Sequence, residues 1–112
     1  MKIVNLETFR ALPPNTLFSK VDPWLFGHLE IKGETLRIDF FTTSDLASSI
    51  DCADSNDGCF GLLESALKDG SSVKMDFETQ QRDGMFLESQ LFSVWEDDDV
   101  LSLIERLKQC VH

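Results

Sequence analysis

LFGHLEIKGETLRIDFFT, residues 25–42, is the stretch whose reading decides the fold. Apolar and polar residues alternate on both sides of Gly33-Glu34, and a period of two marks a half-buried strand. A glycine in the first place of a two-residue connection suits a type II′ turn, where that position needs a positive φ. The stretch therefore predicts a hairpin of strands 25–32 and 35–42. Read pair by pair, Leu29 lies opposite Ile38 and Ile31 opposite Leu36 on a core face. On the other face Glu30 lies opposite Arg37, His28 opposite Asp39, and Phe26 opposite Phe41. Two of these outer pairs join opposite charges, as stable antiparallel ladders do.

Upstream, Asn5 is placed to cap a short helix carrying Leu6, Phe9 and Leu12, which Pro13-Pro14 ends because proline offers no N–H. A strand follows over Thr16–Val21, and Asp22-Pro23 marks a turn. Downstream, residues 44–58 are rich in Ser, Asp and Asn and read as a loop. Asn56 or Asp57 then caps a helix with Phe60, Leu63 and Leu67 on one stripe, closed by Asp69-Gly70. Residues 72–82 and 85–95 predict a second hairpin around Asp83-Gly84. Its register puts Val73, Met75 and Phe77 on the face of Phe86, Phe92 and Val94, with Leu87, Leu91 and Trp95 on the reverse. Val100, Leu103, Ile104, Leu107 and Val111 describe an amphipathic C-terminal helix. The order α-β-β-β-α-β-β-α, joined by hairpins, implies an α+β fold: a curved, mostly antiparallel sheet of about five strands packed with two main helices.

Residues 1–112 have room for one domain, and 42% apolar residues with nine Phe supply a core. Charge is uneven. Residues 1–50 carry 5 Lys/Arg against 6 Asp/Glu, and residues 51–112 carry 5 against 14. A chain with net charge −10 repels nucleic acid and anionic membrane, so neither is an expected partner, whereas a basic protein surface is. No apolar run is long enough to span a bilayer. Cys52, Cys59 and Cys110 are an odd number without the spacing of small secreted domains, which suggests reduced thiols and a cytoplasmic setting.

Chemistry finds little purchase. Glu96-Asp97-Asp98-Asp99 concentrates the negative charge; one aspartate suits a helix N-cap, and the surplus suits contact with a basic partner. The acidic loop around Asp54, Asp57 and Gly58, with Glu64 beyond, falls out of calcium-loop register, and a polar loop ending in a helix cap explains it. Cys52 and Cys59 lack zinc-knuckle spacing; Cys59 reads as core-facing. No cofactor is expected, because the six glycines form neither a dinucleotide fingerprint nor a phosphate loop. His28 opposite Asp39 would be a histidine–carboxylate dyad, but no nucleophile accompanies it, and a polar ladder is the default. The reading therefore leans away from an enzyme. Leu87, Leu91 and Trp95, with Phe26 and Phe41, point away from the expected core, so a covering helix or a homodimer interface is implied.

The stretches Leu12–Ser19 (LPPNTLFS), Ile31–Thr35 (IKGET) with Asp39–Phe41 (DFF), and Arg82–Phe86 (RDGMF) with Gln90–Phe92 (QLF) resemble a family of small acidic proteins. That family is encoded on mobile elements, including integron gene cassettes and phages, and its function is unassigned. The resemblance implies an accessory role: inhibitor, immunity protein, modifier or small binding module. The expectation is a non-enzymatic protein meeting a basic protein partner through Glu96, Asp97, Asp98 and Asp99, as an inhibitor, immunity protein or nucleic-acid mimic would. The alternative is a homodimeric module binding or modifying a small molecule in a pocket near Phe26, His28, Asp39 and Trp95.

Overall fold

A computed structural model of the chain describes residues 1–37, 40–52, 56–84 and 86–112. Along it run β1 (Lys2–Asn5), α1 (Leu6–Arg10), β2 (Thr16–Asp22), β3 (Leu25–Phe26) and β4 (Glu30–Arg37). There follow β5 (Phe40–Asp45), α2 (Asn56–Asp69), β6 (Gln81–Asp83), β7 (Leu91–Val94) and α3 (Asp97–Lys108). The seven strands form one sheet in the order β1-β7-β2-β4-β5-β6, with β3 paired to β2. Every strand pairing among the described residues is antiparallel. The fold is thus α+β, with more strands than the sequence announced.

The sheet curls. Lys20 on β2 reaches Asp83 on β6 at 2.7 Å although β4 and β5 lie between those strands. A lysine side chain bridges that separation only across a concave face. Into the concavity α1 delivers Phe9. Its entry is fixed by Asn5, whose Oδ1 accepts the Thr8 N–H at 2.9 Å, satisfying one of the donors left bare by a helix start. The Phe9 ring stacks on Phe92 at 4.0 Å between centroids, with Phe18 at 4.6 Å and Phe41 at 5.0 Å. With Leu6 these four rings form the buried core.

Several expectations are corrected. Gly33-Glu34 is no turn: it lies inside β4, whose last residue, Arg37, pairs with Phe40, the first of β5. Gly33 is there for close approach, since a Cβ at that position would collide with Thr42 Oγ1. The pairs shift accordingly. Glu30 faces Asp45 instead of Arg37, Ile31 faces Ser44 instead of Leu36, Phe41 faces Thr35, and Phe26 faces Val21 on β2. The pairs Leu29–Ile38 and His28–Asp39 involve Ile38 and Asp39, which lie outside the described residues. Alternation has a period of two and says nothing about where the chain reverses, so a slip by an even number of residues preserves the pattern. An even slip keeps each residue on its own side of the strand. Which side faces the core is corrected separately: Phe41, expected on the outer face, is wholly buried there.

Asp83-Gly84 does not close a hairpin either. β6 pairs with β5, and β7 pairs with β1 and β2. The N-terminal strand Lys2–Asn5, which the sequence reading did not include, takes the edge of β7. Over residues 72–80 the chain bonds to the sheet's periphery through a bridge of Met75 to Ile50. The cysteine reading also fails: Cys52 and Cys59 are joined in a disulfide with Cα atoms 4.9 Å apart, and Cys110 is a free, exposed thiol. The start of α2 brings the two sulfurs together, so the spacing gives no support to reduced thiols. No helix among the described residues is long and apolar enough to cross a membrane.

Candidate functional site

Where α1 stops covering the concave face, the same face turns polar. Glu30 stands opposite both Phe18 and Asp45 in register, so the strand order that builds the core also carries two carboxylates beside it. Lys20, two residues beyond Phe18, shares their side of β2. The short β3 then folds back along β2, with the Gly27 N–H donating to the Lys20 carbonyl at 2.8 Å. The result is a cleft of about 390 Å³ lined by Lys20, Asp22, Leu25, Phe26, Gly27, His28, Glu30, Asp45 and Gln90. Leu25, Phe26 and the neighbouring Trp24 are exposed at its hairpin rim.

The charges in the cleft are coupled. His28 Nδ1 lies 3.0 Å from Asp45 Oδ2. That hydrogen bond, then the Asp45 charge, raises the His28 pKa above its ordinary value, with Glu30 adding to the effect. Burial alone would raise Asp45, but it is outweighed by His28, by the Ala47 N–H at 2.9 Å and by Ser48, so the carboxyl is held low. Glu30 is the reverse case. Burial raises it, and the charges of Asp83 and Asp45 add to that, against the opposing pull of Thr43 and Lys20. Lys20 is already bonded to Asp83, both largely withdrawn from solvent. Asp22, Glu30 and Asp45 therefore outweigh the cations, and the cleft is an anionic hollow with an apolar lip.

A second cleft, of about 330 Å³, is lined by Met1, Ser19, Phe26, Gly27, Leu29, Ser93 and Trp95. Its two hydroxyl side chains, Ser19 and Ser93, bond to each other at 2.6 Å. Phe26 and Gly27 form the edge common to both clefts.

Of the residues singled out by sequence, Phe26 and His28 line the first cleft and Trp95 the second. His28 has Asp45 as its partner; Asp39 lies outside the described residues. Phe41 is core. Leu87 and Leu91 line a separate groove of about 230 Å³ with Val21, Asp22 and Pro23. The acidic run divides. Glu96, and no aspartate, is the N-cap of α3; Asp99 accepts the Glu96 N–H at 3.0 Å, and the Met1 ammonium bonds Glu96 at 3.2 Å and Asp99 at 2.5 Å. Asp97 and Asp98 remain at the surface. Sequence reading passed over Lys20, Asp22, Trp24 and Asp45; the Phe41, Thr43, Asp45 alternation was the available sign that β5 ran through Asp45. Among the described residues no group of three or more His, Cys, Asp or Glu side chains is placed to hold a metal ion. Neither a family model, nor a curated protein, nor a solved structure matches this chain.

Proposed function

We propose that the protein is a non-catalytic binding module that receives a cationic side chain of a basic protein partner in the cleft of Asp22, Glu30 and Asp45. The convergence of those carboxyls beneath an exposed apolar lip carries the reading. Charge of one sign in a walled cleft focuses its field on an incoming cation, and a partly desolvated carboxylate gains more from a charged hydrogen bond than an exposed one. Trp24 supports a protein partner. It is 94% exposed and held at φ 72°, a left-handed conformation costly for a bulky residue. Tryptophan in such a position at the mouth of an anionic cleft supplies a face for cation–π contact and the aromatic anchor common in protein interfaces. The acidic run is the weaker support, since Glu96 and Asp99 are engaged at the start of α3. An inhibitor or immunity role fits this arrangement, as does the accessory setting that the mobile-element resemblance implies.

The test is titration with an arginine-rich peptide, followed by Trp fluorescence and calorimetry. Asp45→Asn and Glu30→Gln are expected to weaken binding about tenfold each, the loss of one charged hydrogen bond, while Asp97→Asn with Asp98→Asn changes it little. Equal losses from both pairs would overturn the cleft as the site. The 390 Å³ volume also admits a free small molecule. That reading would be favoured if arginine amide bound as tightly as the peptide.

A further inference from the structure

α3 carries an apolar stripe that its own chain leaves bare. No residue of the helix is buried, and Leu101, Ile104, Leu107 and Val111 beyond its end are 59%, 44%, 51% and 81% exposed. Contact with the body is confined to the first turns, where the Met1 ammonium holds Glu96 and Asp99, and Val100 and Leu103 are half-buried. An amphipathic helix of this kind normally owes its stability to whatever covers the apolar face. The expected packing of α3 on the sheet leaves this stripe exposed.

The charges on the helix say what fits. Asp97 opens α3 and Lys108 closes it. At 3.6 residues per turn the separation of eleven positions brings both onto the side of Ile104, flanking the stripe at opposite ends. We infer that α3 pairs antiparallel with α3 of a second copy about a two-fold axis between Ser102 and Leu103. This register sets Asp97 of each copy against Lys108 of the other, and Leu101 against Ile104. A two-fold interface must be complementary to itself, which a helix acidic at one end and basic at the other is when antiparallel. Parallel pairing would set Asp97 against Asp97 and Lys108 against Lys108. The bond that Lys108 makes within its own helix, to Glu105 at 2.8 Å, is exposed and worth little, so it does not hold the ammonium back. For a chain of net charge −10, this helix end is also where cations are available to offset repulsion between copies.

The inference is tested by light scattering coupled to gel filtration over a range of protein concentrations, on a Cys110→Ser background that excludes linkage through the exposed thiol. The expected result is a dimer fraction that rises with concentration. Ile104→Asp should give a monomer with unchanged far-ultraviolet circular dichroism. Asp97→Lys and Lys108→Glu should each weaken the dimer several-fold, and the double exchange should restore it. A wild type that stays monomeric throughout overturns the inference and assigns the stripe to a foreign partner. A dimer indifferent to Ile104→Asp, or not restored by the double exchange, overturns it equally.

Discussion

Gly33 and Thr42 show how one residue can mislead a sequence reading. A glycine flanked by alternating residues signals a turn, yet here it lets β5 approach β4 where no Cβ fits against Thr42 Oγ1. Gly33→Ala is expected to destabilise the fold by about 1–3 kcal/mol, the cost of overpacking, measured by chemical denaturation. Thr42 Oγ1 is buried without a hydrogen-bond partner among the described residues, so Thr42→Ala alone should be near neutral and should recover part of the Gly33→Ala loss. His28 offers a second check. Its pKa is raised and that of Asp45 lowered by their contact. The stabilisation from His28 is therefore complete below its unfolded pKa of about 6.5 and fades as pH rises through the raised value. That from Asp45 is complete above its unfolded value and fades as pH falls through the lowered one. Proton NMR should place the His28 midpoint above 6.5 in wild type and nearer to it in Asp45→Asn, and the stability gap to His28→Ala should close above neutral pH. An unshifted midpoint would remove the pair.

At the scale of elements, helices were legible and strand partners were not. Asn5, Asp69-Gly70 and the acidic start of α3 announce helix ends through local chemistry, and the structure has α1, α2 and α3 there, with Gly70 at φ 72°. A cap involves atoms within a few residues, so sequence suffices. A strand's neighbour is chosen by distant chain, and β7 lies between Lys2–Asn5 and β2 instead of beside residues 72–82. The acidic run belongs to this scale too. Asp99→Ala removes the acceptor of the Glu96 N–H and a partner of the Met1 ammonium, and is expected to lower the melting temperature by a few degrees. Asp98→Asn should leave it nearly unchanged. Equal melting temperatures for the two variants would mean that the run is not divided between cap and surface.

For the molecule as a whole, stability hangs on a small aromatic core served by a five-residue helix. Phe9 touches the Phe18, Phe41 and Phe92 rings at once. Phe9→Ala should cost about 3–5 kcal/mol out of the roughly 5–15 available to a domain, seen as a large fall in denaturation midpoint. A loss near 1 kcal/mol would show that the core lies elsewhere. Lys32 enters this core as well: it is 1% exposed, donates to the Leu12 and Gly33 carbonyls at 2.8 and 3.1 Å, and burial lowers its pKa. Nothing in residues 25–42 marks that lysine as interior, because burying it depends on the Leu12 carbonyl, which the chain after α1 supplies from outside that stretch.

By itself the sequence determined the α+β class, the presence of three helices near their observed places, the strand around residues 16–22, and the excess of negative charge. Each follows from interactions a few residues long or from composition. Only the tertiary structure decided which strands are neighbours, that the face of Phe41 is inside, that His28 meets Asp45, and that Asp22, Glu30 and Asp45 share one hollow. Those facts rest on sheet register and curvature. Period-two alternation leaves register free by any even number of residues, and curvature emerges only when all seven strands are in place.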